Sequence, residues 1–102
     1  MTEIVDRKVV HDCFYRERFK YTLGTPVPRV LLSYFESDEG FTVSTYDATG
    51  ILPNSSITFH INHRGDELII AGALGLDYFT VTYKKESKER WLPKIEKMID
   101  EL

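Results

Sequence analysis

The chain has 102 residues, 42% hydrophobic and 28% charged, and a net charge of −3. That size and composition suit one folded domain with a single core, and they exclude a disordered chain and a surface that is basic throughout. The charge is unevenly spread: residues 1–35 carry six basic and four acidic groups, residues 36–83 one basic and seven acidic, and residues 84–102 six basic and five acidic.

In chain order, Thr2–His11 reads as a first strand, with Ile4, Val9 and Val10 as its apolar content. Phe14–Leu23 has a clear period of two: Tyr15, Phe19, Tyr21 and Leu23 share one parity and Arg16, Arg18 and Lys20 the other, with Glu17 breaking the apolar side. Pro26 and Pro28 make 24–28 a loop, since proline removes ladder donors. Arg29–Phe35 is a nearly continuous apolar run, which predicts a strand buried on both faces. After a turn at 37–40, Phe41, Val43 and Thr45 alternate with Thr42, Ser44 and Tyr46.

Asp47–Gly50 and Pro53–Ser55 bracket the next connection, and Ile57, Phe59 and Ile61 then alternate with Thr58, His60 and Asn62. His63–Asp66 is a turn in which Gly65 is expected to supply a positive φ. Glu67–Ala71 predicts a short buried strand, Gly72–Gly75 a bulge or tight connection, and Tyr78–Tyr83 a last strand. The period then changes. Trp91, Ile95, Met98, Ile99 and Leu102 form one stripe of a helix, and Pro93 belongs in its first turn, which puts the start near Glu89 or Arg90. The helix should bury Trp91, Ile95, Met98 and Ile99 against Phe59, Ile61, Ile70, Phe79 and Val81. The whole reads as a single α+β domain: a strongly bent antiparallel sheet or partly open barrel of six to seven strands, closed by one C-terminal helix.

Three segments carry a resemblance. Phe14–Leu23, with basic residues alternating with large apolar ones, resembles the second strand of pleckstrin-homology-like domains. Leu31–Glu39 is similar to their third strand and its acidic turn, and Tyr78–Tyr83 followed by Lys85–Trp91 to their last strand and closing helix. The resemblance implies a seven-stranded sheet capped by a helix, and a basic strand pair that grips inositol phosphates in lipid-binding members. The six-stranded Polo-box plan would bury the same residues.

Lys8, Arg16, Arg18 and Lys20 are the candidate anion- or partner-binding residues, because guanidinium forks and ammonium groups in a row suit phosphate or carboxylate oxygens. The same row also serves as a solvated face that blocks edge-to-edge pairing. His11 and Cys13 fall on one side of a strand, but two ligands fall short of a zinc site, and Cys13 reads as a small buried hydrophobe. His60 and His63 read as an exposed strand histidine and a turn histidine. Arg64-Gly65-Asp66 and Asn54-Ser55-Ser56 match an integrin-type tripeptide and a glycosylation acceptor, both meaningful only outside the cell. Gly72 and Gly75 do not open a helix and so do not cradle a phosphate.

With no catalytic constellation, metal or cofactor expected, the chain reads as a non-catalytic binding or adaptor module. The leading expectation is a protein or peptide partner, an acidic one included, taken through a strand edge or the groove between the helix and a strand. The alternatives are a phosphoinositide or other anionic lipid headgroup on the basic strand, and single-stranded nucleic acid stacked on Phe14, Tyr15, Tyr46 or Tyr78. A lone cysteine, the charged segment Met1–Val10 and the short apolar run Leu68–Leu76 predict a soluble intracellular protein in the cytoplasm, with a membrane surface or the nucleus as further sites. Isolated, it should be a monomer or a weak, salt-sensitive dimer.

Overall fold

The computed structural model describes residues 2–47 and 57–102. The Asp47–Gly50 and Pro53–Ser55 connection beyond Asp47, and the Asn54-Ser55-Ser56 acceptor, lie outside the described residues. The elements are β1 (Ile4–Asp12), β2 (Arg16–Leu23), α1 (Val30–Glu36), β3 (Phe41–Asp47), β4 (Ile57–His63), β5 (Leu68–Ala73), β6 (Tyr78–Lys84) and α2 (Lys88–Glu101), with one 3-10 turn at Lys85–Ser87 leading into α2. The six strands form one antiparallel sheet in the order β1-β2-β6-β5-β4-β3. β1 and β3 are its two edges, so the sheet is open rather than closed into a barrel. No helix among the described residues is long and apolar enough to cross a membrane.

The expected strand at Arg29–Phe35 is instead α1. A short apolar run fits either element, and burial decides it: Leu31, Leu32 and Phe35 are buried while Val30 and Tyr34 are half exposed. Adjacent buried leucines and a third buried residue three positions on follow a helical period, whereas a strand would alternate. Pro28 sets the start, its carbonyl accepting from Leu31 N at 3.1 Å. α1 carries the chain from β2 to β3 at the far edge, so β2 is free to pair with β6.

Both helices pack on one face of the sheet. Phe19, Tyr21 and Leu23 of β2, Phe79, Val81 and Tyr83 of β6, and Ile61, Ile70 and Phe59 from β4 and β5 meet Leu31, Leu32 and Phe35 of α1 and Ile95, Met98 and Ile99 of α2 in one core. Trp91, expected in this core, is only partly buried: its indole N–H donates to Glu67 Oε2 at 2.6 Å and its ring meets Phe41 edge-on. A ring with a polar tip settles where that tip finds an acceptor. The expected start of α2 holds to within two residues, and Pro93 lies inside the helix.

Two backbone details depart from expectation. In the His63–Asp66 turn the positive φ belongs to Asp66, at 60°, while Gly65 is required because a Cβ there would stand 2.8 Å from the His63 ring. Gly72 serves packing rather than a bulge: a Cβ would meet Phe79 Cβ at 2.8 Å and Phe59 Cζ at 3.0 Å. Ile99→Ala should cost about 2–5 kcal/mol, since Ile99 is fully buried, whereas Val5→Ala on exposed β1 should stay within about 0.5 kcal/mol. Chemical denaturation of the two variants checks this, and equal losses would contradict the one-sided core.

Candidate functional site

With both helices on one face, the other face of the sheet is left open, and the strand register decides which side chains stand on it. Lys8 lies directly opposite Lys20, His11 opposite Arg18, Arg16 opposite Lys84, Arg18 also opposite Thr82, and Lys20 also opposite Thr80. All four residues expected to bind an anion or partner therefore share the open face. Asp6, opposite Thr22, is the carboxylate that the same parity of β1, β2 and β6 places with them.

The four are not equivalent. Arg16 Nη2 donates to Asp66 Oδ2 at 2.7 Å, while its Nη1 is buried without a partner. Arg18 Nε donates to Thr82 Oγ1 at 3.0 Å, and Lys20 Nζ stands 4.4 Å from the centre of the Tyr78 ring. Among the described residues, six ion pairs are formed, and none includes Lys8, Arg18 or Lys20. Among the described residues, these three adjacent cations thus stand without an ion pair, with Asp6 the one carboxylate of their parity. Like charges directly opposite on neighbouring strands repel, and an anion laid over the pair would relieve that repulsion.

β1 is held in this register from the core side. Arg7, next to Lys8 but of the opposite parity, pairs with Glu96 of α2. The same carboxylate accepts from the Tyr21 hydroxyl at 3.1 Å, which leaves the Tyr83 hydroxyl to donate to Tyr21 at 2.8 Å. Burial first, and then the neighbouring Tyr83 hydroxyl, push the Tyr21 phenol well above its ordinary range, and burial likewise raises Tyr83. Both phenols stay protonated as donors. The hydrogen bond to Glu96 raises the Arg7 guanidinium in turn.

The remaining candidates resolve into structural roles. Cys13 is exposed, not buried, because it sits at the β1–β2 loop beyond the reach of the helices. Asp12 is taken by Lys85 at 2.5 Å, and that hydrogen bond holds it below the usual carboxylate range. No group of three or more His, Cys, Asp or Glu among the described residues could hold a metal. His60 bonds Asn62 at 3.0 Å, and His63 Nδ1 accepts from Gly65 N and Glu67 N at 3.2 and 3.4 Å.

The groove expected beside the helix exists as a cleft of about 200 Å³ between α1, β3 and α2, lined by Tyr34, Phe41, Trp91 and Lys94 among others. It lies on the helix side, away from the cations. Of the two sheet edges where a strand could be added, β1 is exposed along its length but interrupted by register shifts at Val5 and Val10. Such bulges twist an edge and leave residues unpaired, so β1 is a poor template for an added strand. Sequence reasoning missed a shallow hollow of about 370 Å³ with Ser44, Tyr46, Thr58, His60 and Ala71 on its walls. The alternation of β3 and β4 displayed these residues, but only the strand order sets them beside one another.

Compared with known proteins, the chain matches no family model, and no curated protein or solved structure is significantly similar to it.

The tyrosine pair sets an alkaline limit on the fold. Their folded-state pKa values lie above the ordinary value near 10, so above about pH 10 the unfolded chain releases protons that the folded chain keeps, and stability falls by ~1.4 kcal/mol per pH unit for each tyrosine. Titration followed by phenolate absorbance should show two of the six tyrosines ionising only as the chain unfolds; six ionising together before unfolding would contradict the network.

Proposed function

We propose that the chain is a non-catalytic binding module whose open sheet face, at β1, β2 and β6, takes an acidic extended segment of another protein. The observation that carries this reading is the Lys8–Lys20 opposition, with Arg18 beside it and, among the described residues, no ion pair to any of the three. Alternate residues of a strand recur about every 6.8 Å, so carboxylates at alternate positions of an extended peptide match Arg18 and Lys20 in step. Arg16, Arg18 and Lys20 stand along one strand, and Lys8 across from Lys20 doubles the charge at one end of that row, an arrangement that an extended acidic segment can follow.

Overall charge supports the same choice. A chain of net charge −3 has a basic face and acidic remainder, which steers a small acidic segment to one side while repelling a long polyanion. On the open face itself base stacking would fall to Tyr78, over whose ring Lys20 already stands; the exposed Phe14 and Tyr15 lie at the hairpin tip.

A fluorescent peptide of alternating Glu and Thr should bind the protein, and binding should weaken steeply with salt. Arg18→Glu should weaken it by about tenfold or more. Lys8→Thr gives a sharper test, because it removes a repulsive cross-strand pair: stability should rise by about 0.2–1 kcal/mol while affinity falls. Unchanged affinity in both variants, or tight headgroup-selective binding to phosphoinositide vesicles in place of the peptide, would overturn the reading.

A further inference from the structure

The β1–β2 hairpin ends in an unusual loop. Cys13 N donates to Arg16 O at 2.9 Å, leaving Phe14 and Tyr15 as the two loop residues. Two-residue hairpin loops ordinarily use Asn-Gly or similar pairs whose φ can be positive. Here both positions are aromatic and neither has a positive φ. The aromatic side chains do not enter the core either: Phe14 is 83% and Tyr15 69% exposed, and their rings pack edge-on against each other at 4.7 Å. A second bond, Lys85 N to Tyr15 O at 2.8 Å, fixes the tip to the turn before α2. The pair therefore gains nothing from turn formation or burial, and it is held ready. Rigid exposed aromatics of this kind are the residues that anchor protein interfaces.

We infer that Phe14 and Tyr15, with the hollow of about 170 Å³ that they form with Lys84, Lys85 and Glu86, hold a large apolar side chain of the same acidic segment that the open face binds. This rests on the proposed function and narrows its partner. The tip is continuous with the cation row, since Lys84 on the wall of the hollow lies directly opposite Arg16. From Arg18 to the tip is three to four residues of strand, about 10–14 Å. The recognised segment is therefore an extended run with carboxylates at alternate positions and an aromatic or large aliphatic residue three to four positions beyond the last of them. The carboxylates set orientation and approach, and the apolar residue gives residence time.

Two labelled peptides of equal length and charge test this, one with alternating Glu only and one with a Phe at the tip spacing, made in both chain directions. The Phe peptide, in one direction, should bind wild-type protein about tenfold tighter than its partner, and the Phe14→Ser/Tyr15→Ser variant should lose that advantage while keeping its melting temperature and its affinity for the Glu-only peptide. Equal binding of both peptides by the wild type would overturn the inference and leave the acidic-partner reading standing. Binding of neither would remove both. Retention on phosphatidylserine vesicles or on oligo-dT that depends on Phe14 and Tyr15, with no preference between the peptides, would also overturn it, assigning the tip to a membrane or to nucleic acid.

Discussion

The structure depends on the one-sided covering of its sheet. Two short helices, α1 and α2, lie on the same face, and their apolar stripes close a single core with the inward parity of β2, β4, β5 and β6. Apolar burial of this kind is the main favourable term for a domain of this size. It also obliges the other face to be polar, because no described helix covers it. The alternation in β2 follows from this constraint: Phe19, Tyr21 and Leu23 supply the core, and Arg16, Arg18 and Lys20 are the charged residues that a sheet face can expose to water.

The same division sorts the charges. Along the chain, acidic groups concentrate between residues 36 and 83, yet in space the unpaired cations gather on the open face while carboxylates such as Glu17, Glu67 and Glu96 are engaged by Lys88, Arg90 and Arg7 around α2. The run from buried Tyr83 through buried Tyr21 to Glu96 and the exposed Arg7 then ties the edge strand to the helix. Lys8 faces outward because its neighbour Arg7 is held inward. Chemistry on the open face is thus set by contacts on the closed one.

Much of this was legible in the sequence, and the exceptions have physical causes. Period-two patterning marked β2, β3, β4 and β6, and the 3.6-residue stripe marked α2, because each of these elements buries one side only. The sequence of α1 predicts a strand because Val30–Phe35 is apolar almost throughout, so the exposed positions Val30 and Tyr34 carry no polar mark of the helical period. Cys13 was placed inside on residue type alone, though its position at a hairpin loop exposes it. Parity named Arg16, Arg18 and Lys20, and the basic pattern of the resembled domains named Lys8. Their facing was not legible, since the Lys8–Lys20 pairing depends on the bulges at Val5 and Val10. The role of Trp91 hinged on Glu67, 24 residues away, which no local pattern announces.

The strand order also governs the sequence of events in folding. β3, β4, β5 and β6 pair with their chain neighbours and can assemble as a meander by closing short loops. β2 cannot take its place until β6 exists, and contacts such as Tyr21 to Tyr83 bridge 62 residues of chain. Loop closure of that length comes late and slows the overall rate. On the ribosome, the β1–β2 hairpin emerges first and waits for its partner longest, with Phe19, Tyr21 and Leu23 uncovered. During that interval the cations on its other side keep nascent copies apart, so the charged row protects the hairpin while it waits for β6.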